Sequence, residues 1–321
     1  MIAAELGDWL TWLGWASVAG SAFILLTQFA HWSRLRVVGI LQSTNVPGTA
    51  ILALTAFVAV VAGRYLLAVA ALSVGAVAAA TVVRALRATV GPGRVVEPAL
   101  TVRIVSSNIL YQNDDIVDAA DIITSVDADV VFICEYNAAF HEALAEHPLR
   151  VERPHRLEAP RENGAGSAIW SRLPIIDADP ARDGRDTVTA TVDGPFGPVS
   201  VLAVHPNTPV HDVRLWRSGL RLIRERAARI HRPLLVIGDF NATYWHPLYV
   251  DLRSAGLIDE HIELGQGWSV SWPTHELVPP WVRLDHVLTS NGLRAANLEN
   301  LDVPGTDHAA TVVDVALGQP D

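Results

Sequence analysis

Six places in this 321-residue chain set a polar side chain at the end of an apolar run. Asn108 follows the run near 102–105, Glu135 follows VVFIC, and His205 follows VLAV. Asp239 and Asn241 follow LLVIG, Asp285 stands in RLDHV, and Thr306-Asp307-His308 precedes the last apolar run. Loops at strand ends are where binding and catalytic residues are commonly built. A carboxylate directly after five apolar residues has to emerge at a sheet edge, because burying an unpaired charge is costly. Taken singly, these residues have ordinary structural readings: Glu135 as a cap, His205 as a satisfied structural histidine, Asp239 as a turn former. Taken together, they supply what metal-assisted phosphoester hydrolysis requires. Asn108, Glu135 and Asp307 offer hard oxygen ligands suited to Mg²⁺ or Mn²⁺, ions that keep waters for a substrate phosphate. Asp239 can orient or deprotonate an attacking water, and a histidine held by an acid can contact a phosphate or move a proton.

The elements that must position these residues alternate along the chain. Strand-like runs fall at 101–107, 129–134, 166–171, 187–192, 198–204, 233–238, 282–289 and 310–316. Helical patterns lie near 114–126, 137–146, 211–231 and 246–255, the third an amphipathic helix whose many arginines read as a solvated face. His286 neighbours Asp285 on a strand and should point to the opposite face, which leaves it out of the site.

The first third of the chain is different. Residues 9–30 run about twenty positions without a charge, long enough to cross the ~30 Å hydrocarbon core of a bilayer. Trp9, Trp12 and Trp15 suit an interfacial belt. The acidic start, with Glu5 and Asp8, argues against a cleaved leader. Residues 46–63 and 65–83 form two further apolar stretches divided by Gly63-Arg64. The expectation is a membrane domain over 1–90 with three transmembrane helices, a Gly/Pro-bearing linker over 91–100, and a catalytic domain over 101–317.

Every basic residue is an arginine. Beyond residue 90 lie 19 of the 24 arginines and 32 of the 34 acids, a net charge of −13. A domain so acidic lacks the electrostatic footprint of a general nucleic-acid binder. The single cysteine, Cys134, excludes an intramolecular disulfide and a thiolate cluster, and reads as a small core residue.

In chain order, SSN at 106–108, DVVFICE at 129–135, GSAIWSRLPI at 166–175, VLAVHPN at 201–207, GDFNA at 238–242, RLDHVLTS at 283–290 and TDHAA at 306–310 resemble the endonuclease/exonuclease/phosphatase superfamily, the deoxyribonuclease I-like enzymes. The resemblance implies an α/β fold, a four-layer sandwich of two mixed sheets flanked by helices. It implies metal binding by Asn108 and Glu135 with Asp307 nearby, a nucleophilic water and phosphoryl oxygens positioned by Asp239 and Asn241, a phosphate contact from His205, and a terminal His308 oriented by Asp285. The stretch 265–290 is similar to the bacterial membrane-bound branch that includes teicoplanin-resistance proteins, with Ser271-Trp272-Pro273 where Thr-Trp-Pro is more usual. Trp268, Trp272 and Trp281 there could form a lipid-facing rim or pack as ordinary core and loop residues.

Three functions remain open at this stage. The first is a membrane-anchored, Mg²⁺- or Mn²⁺-dependent phosphoester hydrolase, multi-pass in a cell membrane. Its substrate would be a phosphorylated or pyrophosphorylated lipid or a small phosphoester. The second is a metal-dependent nuclease acting on DNA or RNA. The third is a non-catalytic membrane binding module. Arginine placement around the apolar stretches puts the large domain on the cytoplasmic side, whereas the resistance-protein resemblance implies the outer side.

Overall fold

Strands buried on both faces read as continuous apolar runs, and the runs predicted above behave in that way. The computed structural model describes residues 2–88, 100–179, 186–274 and 280–318; the expected linker lies outside the described residues except for its last position. Twelve strands follow in order: β1 (Val102–Asn108), β2 (Val130–Cys134), β3 (His155–Ala159), β4 (Ser167–Ser171), β5 (Ile175–Asp179), β6 (Asp186–Gly194), β7 (Gly197–His205), β8 (Leu234–Asp239), β9 (Ile258–Asp259), β10 (Asp285–Ser290), β11 (Leu293–Leu301) and β12 (Ala310–Leu317). All eight expected strands are among them. The helices are α1 (Ile2–Phe29), α2 (Arg36–Leu41), α3 (Asn45–Val61), α4 (Tyr65–Ala85), α5 (Ile116–Ser125), α6 (Ala138–Ala143), α7 (Pro148–Val151), α8 (Val213–Ala227), α9 (Pro247–Ser254) and α10 (Glu260–Glu263).

The strands form two mixed six-stranded sheets, ordered β11-β12-β1-β2-β4-β3 and β5-β6-β7-β8-β10-β9. Within each central strand, side chains alternate between two cores, as the two-residue period of a strand requires. Ile104, Phe132 and Cys134 of the first sheet meet Val201, Leu235 and Ile237 of the second between the sheets. Their neighbours Val105, Val131 and Ile133 face outward onto Ala120 and Ile123 of α5. On the far side, Leu202 and Val236 pack against Trp216, Leu220 and Ile223 of α8. The result is the expected four-layer α/β sandwich. Asp212 starts α8 by accepting hydrogen bonds from the amides of Arg214 and Leu215, a side-chain cap.

At the N-terminus, α1, α3 and α4 share a core that includes Leu25, Leu52, Leu67 and Ala71. Their outer faces leave large apolar side chains exposed, among them Leu26, Leu54, Phe57, Leu66 and Leu72. Two of these helices, not the expected three, are long and apolar enough to cross a membrane: Asp8–Phe29 within α1, and α4. The middle one has 17 residues, about 26 Å at the α-helical rise. Its first turn is also committed to polar contacts: Asn45 Oδ1 accepts from Gln28 at 2.6 Å, and Asn45 Nδ2 donates to Thr81 at 3.2 Å.

The helical region contacts the sandwich directly. The end of α4 contributes Ala85 and Leu86 to the outer core beneath α8 and α9, and Arg253 Nη1 donates to the carbonyl of Ala85 at 2.5 Å. On α2, a Cβ on Gly39 would sit 3.1 Å from Pro209 and 3.5 Å from the Trp216 ring, so this helix lies directly against the sandwich.

One glycine decides whether the β7–β8 pair can form as it does. Gly238 has φ +140°, and a Cβ there would lie 2.1 Å from the carbonyl oxygen of Val204. We expect Gly238→Ala to destabilise the protein by more than about 3 kcal/mol, through strain and a backbone clash together. Thermal unfolding followed by tryptophan fluorescence in detergent checks this; an unchanged midpoint would contradict the register.

Candidate active site

Strand direction gathers the predicted residues. β1 and β2 are parallel, with Asn108 opposite Cys134, so Asn108 and Glu135 leave the first sheet at the same edge. β7 and β8 are parallel, with Val204 opposite Gly238, which brings His205 and Asp239 out together. β10 runs antiparallel to β8 with Asp285 directly opposite Asp239. β12 is antiparallel to β1, so His308, just before it, arrives at the same edge. The two sheets face each other through β1 against β8 and β2 against β7, and the two sets of residues meet across the sandwich.

The meeting point is Asp239, 1 % exposed. Its Oδ2 accepts from Asn108 Nδ2 and from Asn241 Nδ2, each at 3.2 Å, and its Oδ1 accepts from the Asn241 amide at 2.7 Å. Asn108 Nδ2 also donates to Glu135 Oε1 at 3.0 Å. One amide group therefore ties the two carboxylates together. His205 Nε2 lies 3.8 Å from Glu135 Oε1 and 3.7 Å from Asp239 Oδ2; His308 Nε2 lies 3.8 Å from Asp239 Oδ2. These spacings bring the imidazoles to the carboxylates without closing hydrogen bonds. On its other side, His308 Nδ1 meets Asp285 Oδ2 at 2.9 Å.

Local structure aims each group. Glu135 sits at φ +63°, a left-handed backbone that is uncommon for this residue type. That turn swings its side chain back toward Asn108, where the Tyr111 amide donates to Oε2 at 2.9 Å. Asn241, at φ +49°, is held from two directions: its Nδ2 donates to the Pro206 carbonyl at 3.1 Å, and its own carbonyl accepts from Trp216 Nε1 at 3.0 Å. Thr306 Oγ1 donates to the Asn108 carbonyl at 2.8 Å, locking the loop before β12 to the end of β1.

The electrostatics separate the roles. Burial pushes the Asp239 carboxyl up, to about 6; the positive charge of His308 offsets part of that rise. Burial opposes a charged His308, yet the carboxylates of Asp285 and Asp239 prevail and raise it to about 10. Asp285 is held below the usual carboxylate range: burial would raise it, and the charge and hydrogen bond of His308 more than compensate. At neutral pH the site therefore holds an imidazolium between two carboxylates.

Seven of the eight sequence-predicted site residues thus converge on Asp239. Asp307 is the eighth. Its Oδ2 accepts from Trp272 Nε1 at 2.9 Å, and it reaches the group through its charge, which helps raise His308. Of the three tryptophans of this stretch, Trp272 holds Asp307, while Trp268 and Trp281 are exposed. His286 points away, its Nε2 donating to the Ala242 carbonyl at 2.8 Å, and burial lowers it to about 3. Ser271, Thr306 and Trp216 were not predicted as parts of the site. Ser271 Oγ accepts from the amides of Leu284 and Asp285, fixing the backbone that carries the histidine's partner. Only the SWP run hinted at it.

Two donor sets compete for a divalent cation. One atom each from Asp239, Asp285 and His308 lies within 4.8 Å of the others. That trio is a poor cage, because the hydrogen bond at 2.9 Å between His308 Nδ1 and Asp285 Oδ2 already occupies two of its donor atoms. Glu135 and Asp239 are the better fit, as hard oxygens joined through Asn108. Asn108 presents its Nδ2 to both carboxylates, while its Oδ1 accepts from the Leu110 amide at 3.0 Å. In this arrangement its amide ties the two carboxylates together.

Residues 105–308 match the model of the Endonuclease/Exonuclease/phosphatase family. The chain belongs to that family. The structural comparison agrees in fold. Danio rerio TDP2 complexed with a single-strand DNA product superposes with a TM-score of 0.57 at 15 % identity, over 67 % of this chain and 98 % of that one. The 3′ phosphatase NExo from Neisseria, bound to a product DNA hairpin, gives 0.52 at 17 %, over 66 % and 98 %. An endonuclease/exonuclease/phosphatase from Beutenbergia cavernae gives 0.51 at 21 %, over 68 % and 72 %. A search of curated proteins finds no match. Membership assigns the chain to the phosphoester-cleaving enzymes, a family that works with a divalent metal.

Two expectations follow from the charges. Asp285→Asn removes the main charge that raises His308, so the alkaline limb of the pH–rate profile should move toward neutrality and turnover should fall by about 10²–10³-fold. An alkaline limb that stays in place would contradict the pairing. The second concerns the metal. Because Asp239 is raised in the folded state, its protonated form is favoured by folding at low pH. That contribution is lost as pH rises through about 6, where a buried charge is left to be compensated. Millimolar Mg²⁺ should therefore raise the thermal midpoint above about pH 6, and the increment should shrink below it as Asp239 protonates. A pH-independent increment would place the ion elsewhere.

Proposed function

We propose that the chain is a membrane-anchored, Mg²⁺- or Mn²⁺-dependent hydrolase of a phosphorylated or pyrophosphorylated lipid or a small phosphoester. The observation that carries this reading is the buried Asp239 carboxylate flanked by Glu135 and His205 on one side and the His308–Asp285 pair on the other. Glu135 and Asp239 would hold the cation, with Asp307 close by; the bound ion would neutralise charge developing on the phosphoryl oxygens.

The remaining chemistry belongs to the protein. Asp239, ionised above about pH 6, takes a proton from the attacking water or orients it. Asn241 fixes that carboxylate through two hydrogen bonds. His308 is protonated at neutral pH and fixed by Asp285, so it presents an N–H to the phosphoryl or leaving-group oxygen without having to reorient. His205 offers a second ring nitrogen at the same edge.

Membrane anchoring is supported by the two long apolar helices and by the outward apolar faces of the helical region, which would be unfavourable in water. The resemblance of 265–290 to the resistance-protein branch supports a lipid-linked phosphate as substrate. A nuclease is the second reading, favoured by the DNA products bound to the TDP2 and NExo structures. The charge of −13 beyond residue 90 weighs against it.

Glu135→Gln and Asp239→Asn should each lower turnover on a panel of lipid and soluble phosphoesters by about 10²–10³-fold, with secondary structure unchanged by circular dichroism. Undiminished turnover in both would refute the hydrolase reading. Plasmid DNA incubated with the protein and Mg²⁺ separates the two substrate classes: nicking as fast as phospholipid cleavage would favour the nuclease.

A further inference from the structure

A second concave site lies where the helical region meets the sandwich. It is a cleft of about 700 Å³ between the ends of α1 and α4 and the outer surface of α9, and none of the residues around Asp239 lines it. Its wall is divided by chemistry. Phe29, Trp245 and Leu257 supply an apolar side, and Arg84, Arg87 and Arg253 supply three guanidiniums.

Among the described residues, no acidic side chain lines the cleft. Asp251, next along α9, pairs with His31 at 3.5 Å. Arg253 is partly engaged by the Ala85 carbonyl. Arg84 and Arg87 are exposed, and α4 and α1 both end in carbonyl groups, which disfavour an anion by themselves. The helix ends favour these exposed arginines only weakly, and an anion entering the cleft would meet both guanidiniums. The cleft also sits at the terminal residues of the two helices that qualify as membrane spans. A bilayer places its headgroup phosphates at that depth, with acyl chains alongside the helices.

We propose that this cleft binds the phosphate headgroup of an anionic phospholipid, with Arg84 and Arg87 pairing the phosphate and Trp245 packing on the glycerol and upper acyl region. The proposal rests on the membrane reading above. It adds a lipid site separate from the active centre. Trp245 lies four residues beyond Asn241, and its Nε1 donates to the Ser43 carbonyl at 3.2 Å, so an occupied cleft would press the loop that follows the catalytic Asp239 against the helical region.

The test uses the full chain in neutral detergent, with phosphatidylglycerol, phosphatidylcholine and inorganic phosphate as probes, read by native mass spectrometry. The wild-type protein should retain phosphatidylglycerol at least about tenfold more tightly than phosphatidylcholine, and Arg84→Gln/Arg87→Gln should erase that preference. The double variant should keep its unfolding midpoint and its turnover on a soluble phosphoester, and Arg84→Lys/Arg87→Lys should restore part of the preference. Equal retention of both lipids by the wild type, or a preference that survives the double Gln variant, would overturn the site. Complete displacement by millimolar inorganic phosphate would identify a free-anion site and overturn the lipid assignment. Whether the chain stays in carbonate-washed membranes is scored separately. Loss from membranes defeats the anchoring reading, while retention without lipid preference defeats only this site.

Discussion

A carboxylate with almost no access to water is the constraint on which the rest of the catalytic domain depends. Left alone in that position, Asp239 would lose its charge or destabilise the fold, since desolvating an ion costs several kcal/mol. The chain supplies two amide donors, a backbone amide and a facing imidazolium. That set is available only because β10 pairs with β8 in the register that puts Asp285 opposite Asp239. A slip of one residue would send Asp285 to the other face of the sheet, take the partner from His308, and leave the carboxylate uncompensated. Register, charge and catalytic competence are therefore one requirement.

The same logic explains why the positioning residues are buried and polar. Ser271 receives two amides at the start of β10, Thr306 clamps the loop before β12 to β1, and Trp216 holds Asn241 from the helix layer. Each spends its hydrogen bond on backbone near a reacting group. Preorganised donors of this kind need no reorientation when charge develops on a substrate. Two residues of the site, Glu135 and Asn241, also adopt left-handed backbone.

Much of this was legible from sequence because the central strands are buried on both faces. VVFIC and LLVIG can hardly be anything else, and a polar residue at the end of such a run is forced to the sheet edge. The edge elements were not legible. β5 is mostly exposed, with the sequence IIDAD, and β11, LRAANLENL, breaks its alternation at a bulge between Ala295 and Asn297. Neither presents a period to read. The place of Asn108 at a strand end was legible, whereas the orientation of its amide, with Nδ2 toward Glu135 and Asp239, was not. The middle apolar stretch, 46–63, reads as a span by hydropathy, but its helix has only 17 residues, and Asn45 at its start is committed to Gln28 and Thr81.

The segment from 239 to 246 connects the two halves of the molecule. It begins at the buried Asp239 carboxylate and ends at His246, which is buried and held to about 4 by that burial, hence neutral at physiological pH. Its Nδ1 accepts from the Thr243 amide at 2.8 Å, so its proton resides on Nε2, which then donates to the Gly39 carbonyl of α2 at 2.8 Å. A neutral histidine in a fixed tautomer is insensitive to ordinary changes of pH, which suits a permanent contact better than a switch. Eight residues of chain thus run from Asp239 to the helical region without a glycine or an exposed hinge. The site is built on two sheets, and its most buried acid is braced from outside by the element that joins the catalytic domain to its apolar helices.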